Sequence, residues 1–207
     1  MKYFVPFKPD PDAELMLRLK DGEDLMLNEL MTRWQQPLVA FIYRYIGHQS
    51  DALDLAQETF VRVYQARSRY TARAKFASWL FAIAANLCRN YVRRCKRGGG
   101  TAIESLDANS TDVSERIVTS DDSPDQAVIK SELISSIKEA LTKLPHDLKT
   151  VILLYEYEEL SYEEISSALG CSIKAVEMKL YRARKLLREL LSRADLGDQD
   201  SRIEQRS

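Results

Sequence analysis

Apolar side chains return at every third or fourth position along most of this chain, a spacing that puts them on one face of a helix and leaves little room for strands. Leu15 and Leu19, followed by Leu25, Leu27 and Leu30, suggest a first helical pair broken near Asp21-Gly22. Leu38, Phe41, Ile42 and Tyr45 mark the next helix, with Gly47 at a position suited to end it. Ser50 or Asp51 is expected to cap a helix that turns Ala52, Leu55, Ala56, Phe60 and Val63 inwards. After a basic interruption at residues 68–75, Phe76, Leu80, Ile83, Ala84, Leu87 and Tyr91 predict one long amphipathic helix. The chain has only 7 Gly and 6 Pro in 207 residues, which suits this all-helical reading.

The periodicity dissolves between Arg97 and about Asp125. Gly98-Gly99-Gly100 and the Ser, Thr, Asp and Asn that follow describe a flexible connector. No Gly-Lys-Ser/Thr follows the glycines, so they are not a phosphate-binding loop. The pattern resumes at Ala127. Ile129, Leu133, Ile137 and Leu141 predict a helix ending at Leu144-Pro145, and Leu148, Val151, Ile152 and Tyr155 predict the next. Two further helices close the second half, and the tail after Asp195 is polar and expected to fray. The expected architecture is therefore all-α: two helical domains joined by a flexible acidic linker, the second carrying a helix-turn-helix. The boundaries fall at 1–97, 98–126, 127–195 and, for the polar tail, 196–207.

Net charge is −1, but its signs are segregated. Nine basic residues (Arg67, Arg69, Arg73, Lys75, Arg89, Arg93, Arg94, Lys96 and Arg97) occupy residues 67–97 without one acid. Seven acids against Arg116 then follow in residues 98–128, and a second basic block fills residues 174–193. Two basic blocks around an acidic connector imply two anion-binding surfaces. The same alternation suggests that the connector folds over the basic surfaces in the free protein.

Several functions are excluded by what the sequence does not contain. No apolar run approaches the ~20 residues needed to span a bilayer, and the N-terminal residues carry no signal-peptide pattern. A cytoplasmic protein without membrane insertion is expected. Cys88, Cys95 and Cys171 form no C-x-x-C pair and read as small apolar side chains rather than zinc ligands or a disulfide. His48 and His146 stand alone near element ends. No nucleophile-base pairing or ligand cluster suggests an enzyme, and no cofactor is expected.

Residues 161–191 predict a helix-turn-helix. Ser161-Tyr162-Glu163-Glu164 fits a capping box, Ile165, Ala168 and Leu169 face inwards, and Gly170 permits the left-handed turn. Ser172 can cap the second helix, whose apolar stripe is Val176, Leu180, Ala183, Leu187 and Leu190. Such a unit reads the major groove with side chains near the start of its second helix. The candidates are Ser172, Lys174, Ala175, Glu177, Met178 and Lys179 for bases, with Arg182, Arg184 and Lys185 for phosphates.

With Leu55, Ala56 and Phe60 turned inwards, Asp51, Asp54, Gln57 and Glu58 share one polar helix face able to meet a basic partner helix. This segment and its neighbours closely resemble region 2 of the extracytoplasmic-function (ECF) sigma factors of the sigma-70 family. The resemblance runs from Leu38-Val39-Ala40-Phe41-Ile42-Tyr43-Arg44 through residues 51–60 and Phe76-Ala77-Ser78-Trp79-Leu80 to Tyr91-Val92-Arg93-Arg94. Residues 144–191, including Leu180-Tyr181-Arg182-Ala183-Arg184, resemble region 4. The resemblance departs at Lys174-Ala175, where many relatives have a small residue and then Thr, and at Glu177, Met178 and Lys179.

The resemblance implies a sigma factor that binds core polymerase through the β′ clamp helices and the β flap, directs promoter recognition and melting, and answers to an anti-sigma protein. It assigns Asp51, Asp54, Gln57 and Glu58 to the clamp helices. It assigns residues 68–94 to the promoter minus-ten element, with Arg69, Tyr70, Thr71, Arg73 and Lys75 in the loop and Asn86, Arg89, Asn90, Arg93 and Arg94 on the helix. It assigns the second helix of the helix-turn-helix to the minus-thirty-five element. Trp79 and Tyr91 are read as core. The alternative is an autonomous helix-turn-helix regulator that binds an operator without polymerase; it leaves residues 51–60 and 76–94 unexplained.

Overall fold

The computed structural model describes residues 10–72, 75–97 and 124–204, with side chains placed in residues 10–72, 75–97 and 133–192. Among them there are eight α-helices and no strand. They are α1 (Pro11–Lys20), α2 (Leu25–Ile46), α3 (Gln49–Ala66), α4 (Phe76–Arg97), α5 (Pro124–Lys143), α6 (His146–Glu156), α7 (Tyr162–Leu169) and α8 (Ile173–Glu204), with a 3₁₀ turn at Arg67–Arg69.

The first half packs α1 to α4 around Met16, Leu19, Leu30, Leu38, Phe41, Ile42, Leu80 and Phe81, all at most 1 % exposed. Each such side chain contributes about 1.5–3 kcal/mol of transfer free energy. Phe41 and Phe81 meet at 5.0 Å, and Trp34 stands edge-on to Phe81 at 5.8 Å. Asp10 fastens two helix starts at once. Its Oδ1 accepts from the Asp12 amide at 3.1 Å, and its Oδ2 accepts from the Phe76 amide at 2.7 Å. One carboxylate thus satisfies orphan donors on α1 and α4, where the helix dipoles favour negative charge.

Three local expectations are corrected. The stretches around Leu25–Leu30 and Leu38–Tyr45 belong to one helix, α2, which runs through Pro37. Proline deletes one backbone bond there, but the apolar face on either side is buried against the same core and carries the helix across. The N-cap of α3 is His48 and has no side-chain cap bond; Ser50 Oγ instead meets His48 Nδ1 at 3.1 Å. The backbone of α8 stays helical to Glu204, beyond the point where a frayed tail was expected. Of the cysteines, Cys88 is buried, whereas Cys95 and Cys171 are half-buried.

The second half closes around Val151, Leu153, Leu154, Ile165, Val176, Leu180 and Ala183. Helix α5 begins at Pro124, inside the stretch expected to be linker. The acidic connector lies almost wholly in residues 98–123, outside the described residues, and so does its expected folding over the basic surfaces.

The halves also touch, with α2 against α5 and α6, and α4 against α6 and α7. Lys149 of α6, 5 % exposed, donates from Nζ to the Tyr45 carbonyl at 3.2 Å. Tyr45 Oη donates to the His146 carbonyl at 3.3 Å. Arg44 faces Glu158 at 3.6 Å and lies 4.4 Å from the centre of the Tyr157 ring. Lys75 pairs with Glu164 at 2.7 Å.

Candidate polymerase and nucleic-acid interfaces

On α3 the inward set (Ala52, Leu55, Ala56, Thr59, Phe60 and Val63) is buried, which turns Asp54 and Gln57 fully outwards and Glu58 half outwards. Asp51 is drawn aside from this face. His48 Nδ1 lies 3.0 Å from its carboxylate and Tyr91 Oη donates to it at 2.5 Å. Burial and that bond to the carboxylate push the Tyr91 hydroxyl pKa well up. Glu58 is partly occupied by Arg62 one turn on, at 2.7 Å. Leu53, 43 % exposed, and Val61, 53 % exposed, flank the carboxylates, and an apolar groove lined by Leu27, Met31, Val39 and Phe60 opens beside them between α2 and α3. This surface suits an amphipathic helix with basic and apolar residues. Leu53 and Val61 were missed from sequence, where the polar positions alone drew attention.

The basic surface of α4 is presented as the helical period requires. Asn86, Arg89, Asn90, Arg93 and Arg94 are exposed, with Arg89 donating to Asn86 Oδ1 at 2.5 Å and Arg93 to Asn90 Oδ1 at 3.4 Å. An open groove lies between this face, the end of α3 and the 3₁₀ turn. Asn86, Asn90, Arg69, Ser68 and Gln65 line it, over a partly apolar floor of Ile83 and Leu87. Amide and guanidinium donors around an apolar floor are what capture of an unstacked base requires. Gln65 was not anticipated, because its approach to α4 depends on how the helices cross, and Ser68 was included only as the first residue of the basic loop.

The loop residues fare differently. Arg69 and Thr71 are exposed, Lys75 is exposed but paired with Glu164, and Arg73 lies outside the described residues. Tyr70 is corrected. It is 2 % exposed, sits 5.1 Å from Trp79 and 6.4 Å from Phe76, and its backbone carbonyl accepts from Lys20 Nζ at 3.0 Å. Burial, aided by Asp10 and Asp12, pushes its hydroxyl up to about 12. A ring so enclosed is part of the core and offers no face to a base.

The helix-turn-helix forms as its sequence predicts. Ser161 N donates to Glu164 Oε2 at 2.8 Å and Glu164 N donates to Ser161 Oγ at 3.2 Å, a complete capping box. Burial pushes the Glu164 carboxyl up, but Lys75 and the Ser161 amide outweigh it and hold the pKa below its ordinary value. Gly170 takes φ 62°, and Ser166 Oγ donates to the Cys171 carbonyl at 2.6 Å across the turn. Ser172 Oγ accepts from the Ala175 amide at 3.2 Å at the start of α8.

Lys174, Glu177, Met178, Arg182 and Lys185 are exposed along α8, Ala175 is half-buried, and Lys179 lies 3.9 Å from Asp147. Arg184 is engaged elsewhere, 2.8 Å from Glu156 and 5.1 Å from the Tyr155 ring centre, so it braces α8 on α6. Tyr181, 65 % exposed between these side chains, was also missed. Among the described residues no cluster of His, Cys, Asp or Glu has metal-ligand geometry, and no helix is long and apolar enough to cross a membrane.

The fold is all-helical, with a helix-turn-helix, a basic face on α4 and an acidic and apolar face on α3. Residues 30–98 match the family described as Sigma-70 region 2, and residues 134–187 match Sigma-70, region 4. The chain is 31 % identical over 177 residues to an ECF RNA polymerase sigma-E factor of Haemophilus influenzae, covering 85 % of this chain and 93 % of that one. It is 28 % identical over 183 residues to the RNA polymerase sigma-H factor of Pseudomonas aeruginosa, covering 88 % and 94 %. The fold is shared with CnrH, solved in complex with the cytosolic domain of CnrY (TM-score 0.61, 24 % identity, 87 % of this chain and 97 % of that one). It is shared too with the sigma factor RpoE of Bartonella quintana, solved with the anti-sigma factor NepR (TM-score 0.55, 24 % identity, 80 % and 96 %). The chain belongs to the ECF group of the sigma-70 family: it is a transcription initiation factor and not an enzyme. The autonomous-regulator alternative is not favoured.

Proposed function

We propose that this chain docks on core RNA polymerase through Asp54, Gln57 and Glu58 of α3, with the β′ clamp helices as the partner. The observation that carries this reading is the continuity of those polar side chains with exposed Leu53 and Val61 and with the groove on α2. Carboxylates steer a basic helix and set its register, while desolvated apolar contacts supply most of the affinity. Asp51 acts one step back, its carboxylate held by Tyr91 and His48.

Residues 1–97 form the polymerase and minus-ten module and residues 127–195 the minus-thirty-five module. Asn86, Asn90 and Arg69, with Gln65 and Ser68, receive an unstacked minus-ten base, while Arg89, Arg93 and Arg94 contact phosphates. Extruding a base costs a few kcal/mol, which polymerase contacts and the α4 groove must offset together; no nucleotide hydrolysis is needed. On α8, Lys174, Glu177, Met178 and Tyr181 face the bases, with Arg182 and Lys185 on phosphates. An anti-sigma protein is the natural inhibitor, covering one or both surfaces in the cytoplasm.

Run-off transcription tests this proposal. Purified core polymerase is expected to start at defined sites on genomic promoter fragments only when the chain is added. Tight operator binding by the chain alone, with no transcripts, would sink it.

A further inference from the structure

Helix α8 carries one acid where its other charges are basic. Between Ile173 and Arg188 it holds six Lys or Arg residues against Glu177 alone. That carboxylate plays no part in holding the fold. It makes no hydrogen bond or ion pair with another described residue, and neither does the ammonium of Lys174. Ile173 opens the helix, so Glu177 lies beyond the first turn, within which the dipole favours an acid. On a helix that faces DNA, a negative charge weakens binding to every duplex, because the phosphates repel it. Both Lys174 and Glu177 stand where this chain departs from its relatives, so their chemistry belongs to this chain.

The polar side chains around this pair are engaged elsewhere. Ser172 Oγ accepts from the Ala175 amide at 3.2 Å, Lys179 lies 3.9 Å from Asp147, and Arg184 is held by Glu156 at 2.8 Å. Val176 and Leu180, 0 % and 1 % exposed, press the opposite side of α8 into the core. Lys174 and Glu177 are left exposed on the outer face, three positions apart and therefore roughly 5–6 Å apart at Cβ. In the major groove only cytosine N4 and adenine N6 donate to a carboxylate, while guanine and thymine turn acceptors towards it. An ammonium has the reverse preference and is best met by guanine, whose O6 and N7 both accept. In a C·G pair those two acceptors lie together beside the amino group; in an A·T pair they stand on either side of it, one apiece.

We infer that Glu177 and Lys174 together read one C·G pair of the upstream promoter element, the carboxylate accepting from cytosine N4 and the ammonium donating to O6 or N7 of the paired guanine. This rests on the assignment of α8 to the minus-thirty-five element. The lone acid then trades affinity for choice: it weakens binding to all DNA and recovers the loss only where an amino group meets it. Lys174 supplies the opposite charge that makes the same pair attractive from its guanine side.

The test is competition binding by holoenzyme, reconstituted from purified core polymerase and the full chain, on a promoter selected from a random duplex library. Wild type is expected to select a C·G pair at one upstream position, and to lose affinity about tenfold or more when that pair alone becomes T·A. Glu177→Ala and Lys174→Ala should each erase most of this preference and leave the other positions as they were. Glu177→Arg should reverse it, selecting guanine where wild type selects cytosine; a damaged fold cannot produce such a gain. A Glu177→Ala chain that binds all sequences more tightly by one common factor, its preferences intact, would overturn the inference, for the carboxylate would then only repel phosphates. So would a Glu177→Arg chain that keeps the wild-type element. A wild-type holoenzyme that selects no upstream element would remove the minus-thirty-five assignment and the inference with it, whereas the two preceding results leave that assignment standing.

Discussion

Lys149, on α6, gives its ammonium to the carbonyl of Tyr45 in the last turn of α2, across 3.2 Å and out of reach of water. A cation at a helix C-terminus meets an unsatisfied carbonyl and the negative end of the dipole. Burial nevertheless pulls its pKa down to about 8, against the small opposing effect of Cys88 and with Lys96 adding to the fall. At the other end of the same contact, burial pushes Glu158 up to about 7 despite Arg44.

These two shifts give a stability profile with a shallow floor near neutrality. Between pH 4.5 and 7 the folded Glu158 holds a proton that the unfolded chain has lost, so its contribution falls as pH rises. Between pH 8 and 10.5 the unfolded Lys149 holds a proton that the folded one has lost, so stability rises with pH. Melting temperature measured against pH is expected to show both slopes. Glu158→Gln should flatten the acid limb and Lys149→Met the alkaline one. The comparison with each variant removes the opposing effect of His146, whose burial lowers its pKa.

Tyr70 provides a second check. Its hydroxyl is buried without a hydrogen-bond partner, so Tyr70→Phe should leave stability unchanged or raise it by up to about 1 kcal/mol, and promoter opening should be unaffected. Tyr70→Ala should cost about 3–5 kcal/mol. Loss of promoter opening in the well-folded Phe variant would return the ring to the binding site.

Ser161→Ala removes one bond of the capping box at the start of α7. It is expected to cost about 1 kcal/mol, read as a lower denaturation midpoint with an unchanged denaturant slope. An unchanged midpoint would mean that the cap does not hold the helix-turn-helix in place.

The basic face of α4 should separate by salt. With the chain bound to polymerase, Arg93→Ala is expected to weaken promoter binding similarly for different sequences and to reduce the salt slope by about 1. Asn86→Ala, at the groove, should discriminate between minus-ten sequences and leave the slope unchanged. Identical behaviour of the two would argue against a division into phosphate and base contacts.

Helices with one dominant apolar stripe were legible in the sequence, α4 most clearly, and so was the helix-turn-helix, because capping box and turn glycine are local chemistry. Helix α2 was read in two pieces because its apolar positions at Leu25–Leu30 and Leu38–Tyr45 were taken as separate groups, whereas the core that covers both, with the helix continuing through Pro37, is assembled only by the fold. Tyr70 was misread for a related reason: in a basic loop an aromatic ring looks like a stacking platform until Trp79 and Phe76 close over it. The contact between the halves left no trace in the periodicity. Lys149 and Glu158 belong to residue types that pattern reading assigns to solvent, while Lys75 was read as a promoter contact and Glu164 as part of a capping box, neither of which points to the other half of the chain. Gln65, Leu53 and Val61 became visible only once α2, α3 and α4 were set side by side.

The most direct test of the central claim is the affinity of dye-labelled chain for purified core polymerase, wild type beside Asp54→Arg/Glu58→Arg. Asp54 is exposed and Glu58 half-exposed, held only by Arg62 on the surface, so the double variant should keep its helicity and stay close to the wild-type melting temperature. It is expected to lose polymerase affinity by at least about a hundredfold, through charge repulsion at the docking face. Equal affinities for the two folded proteins, or a wild-type chain that does not bind core polymerase, would contradict the account.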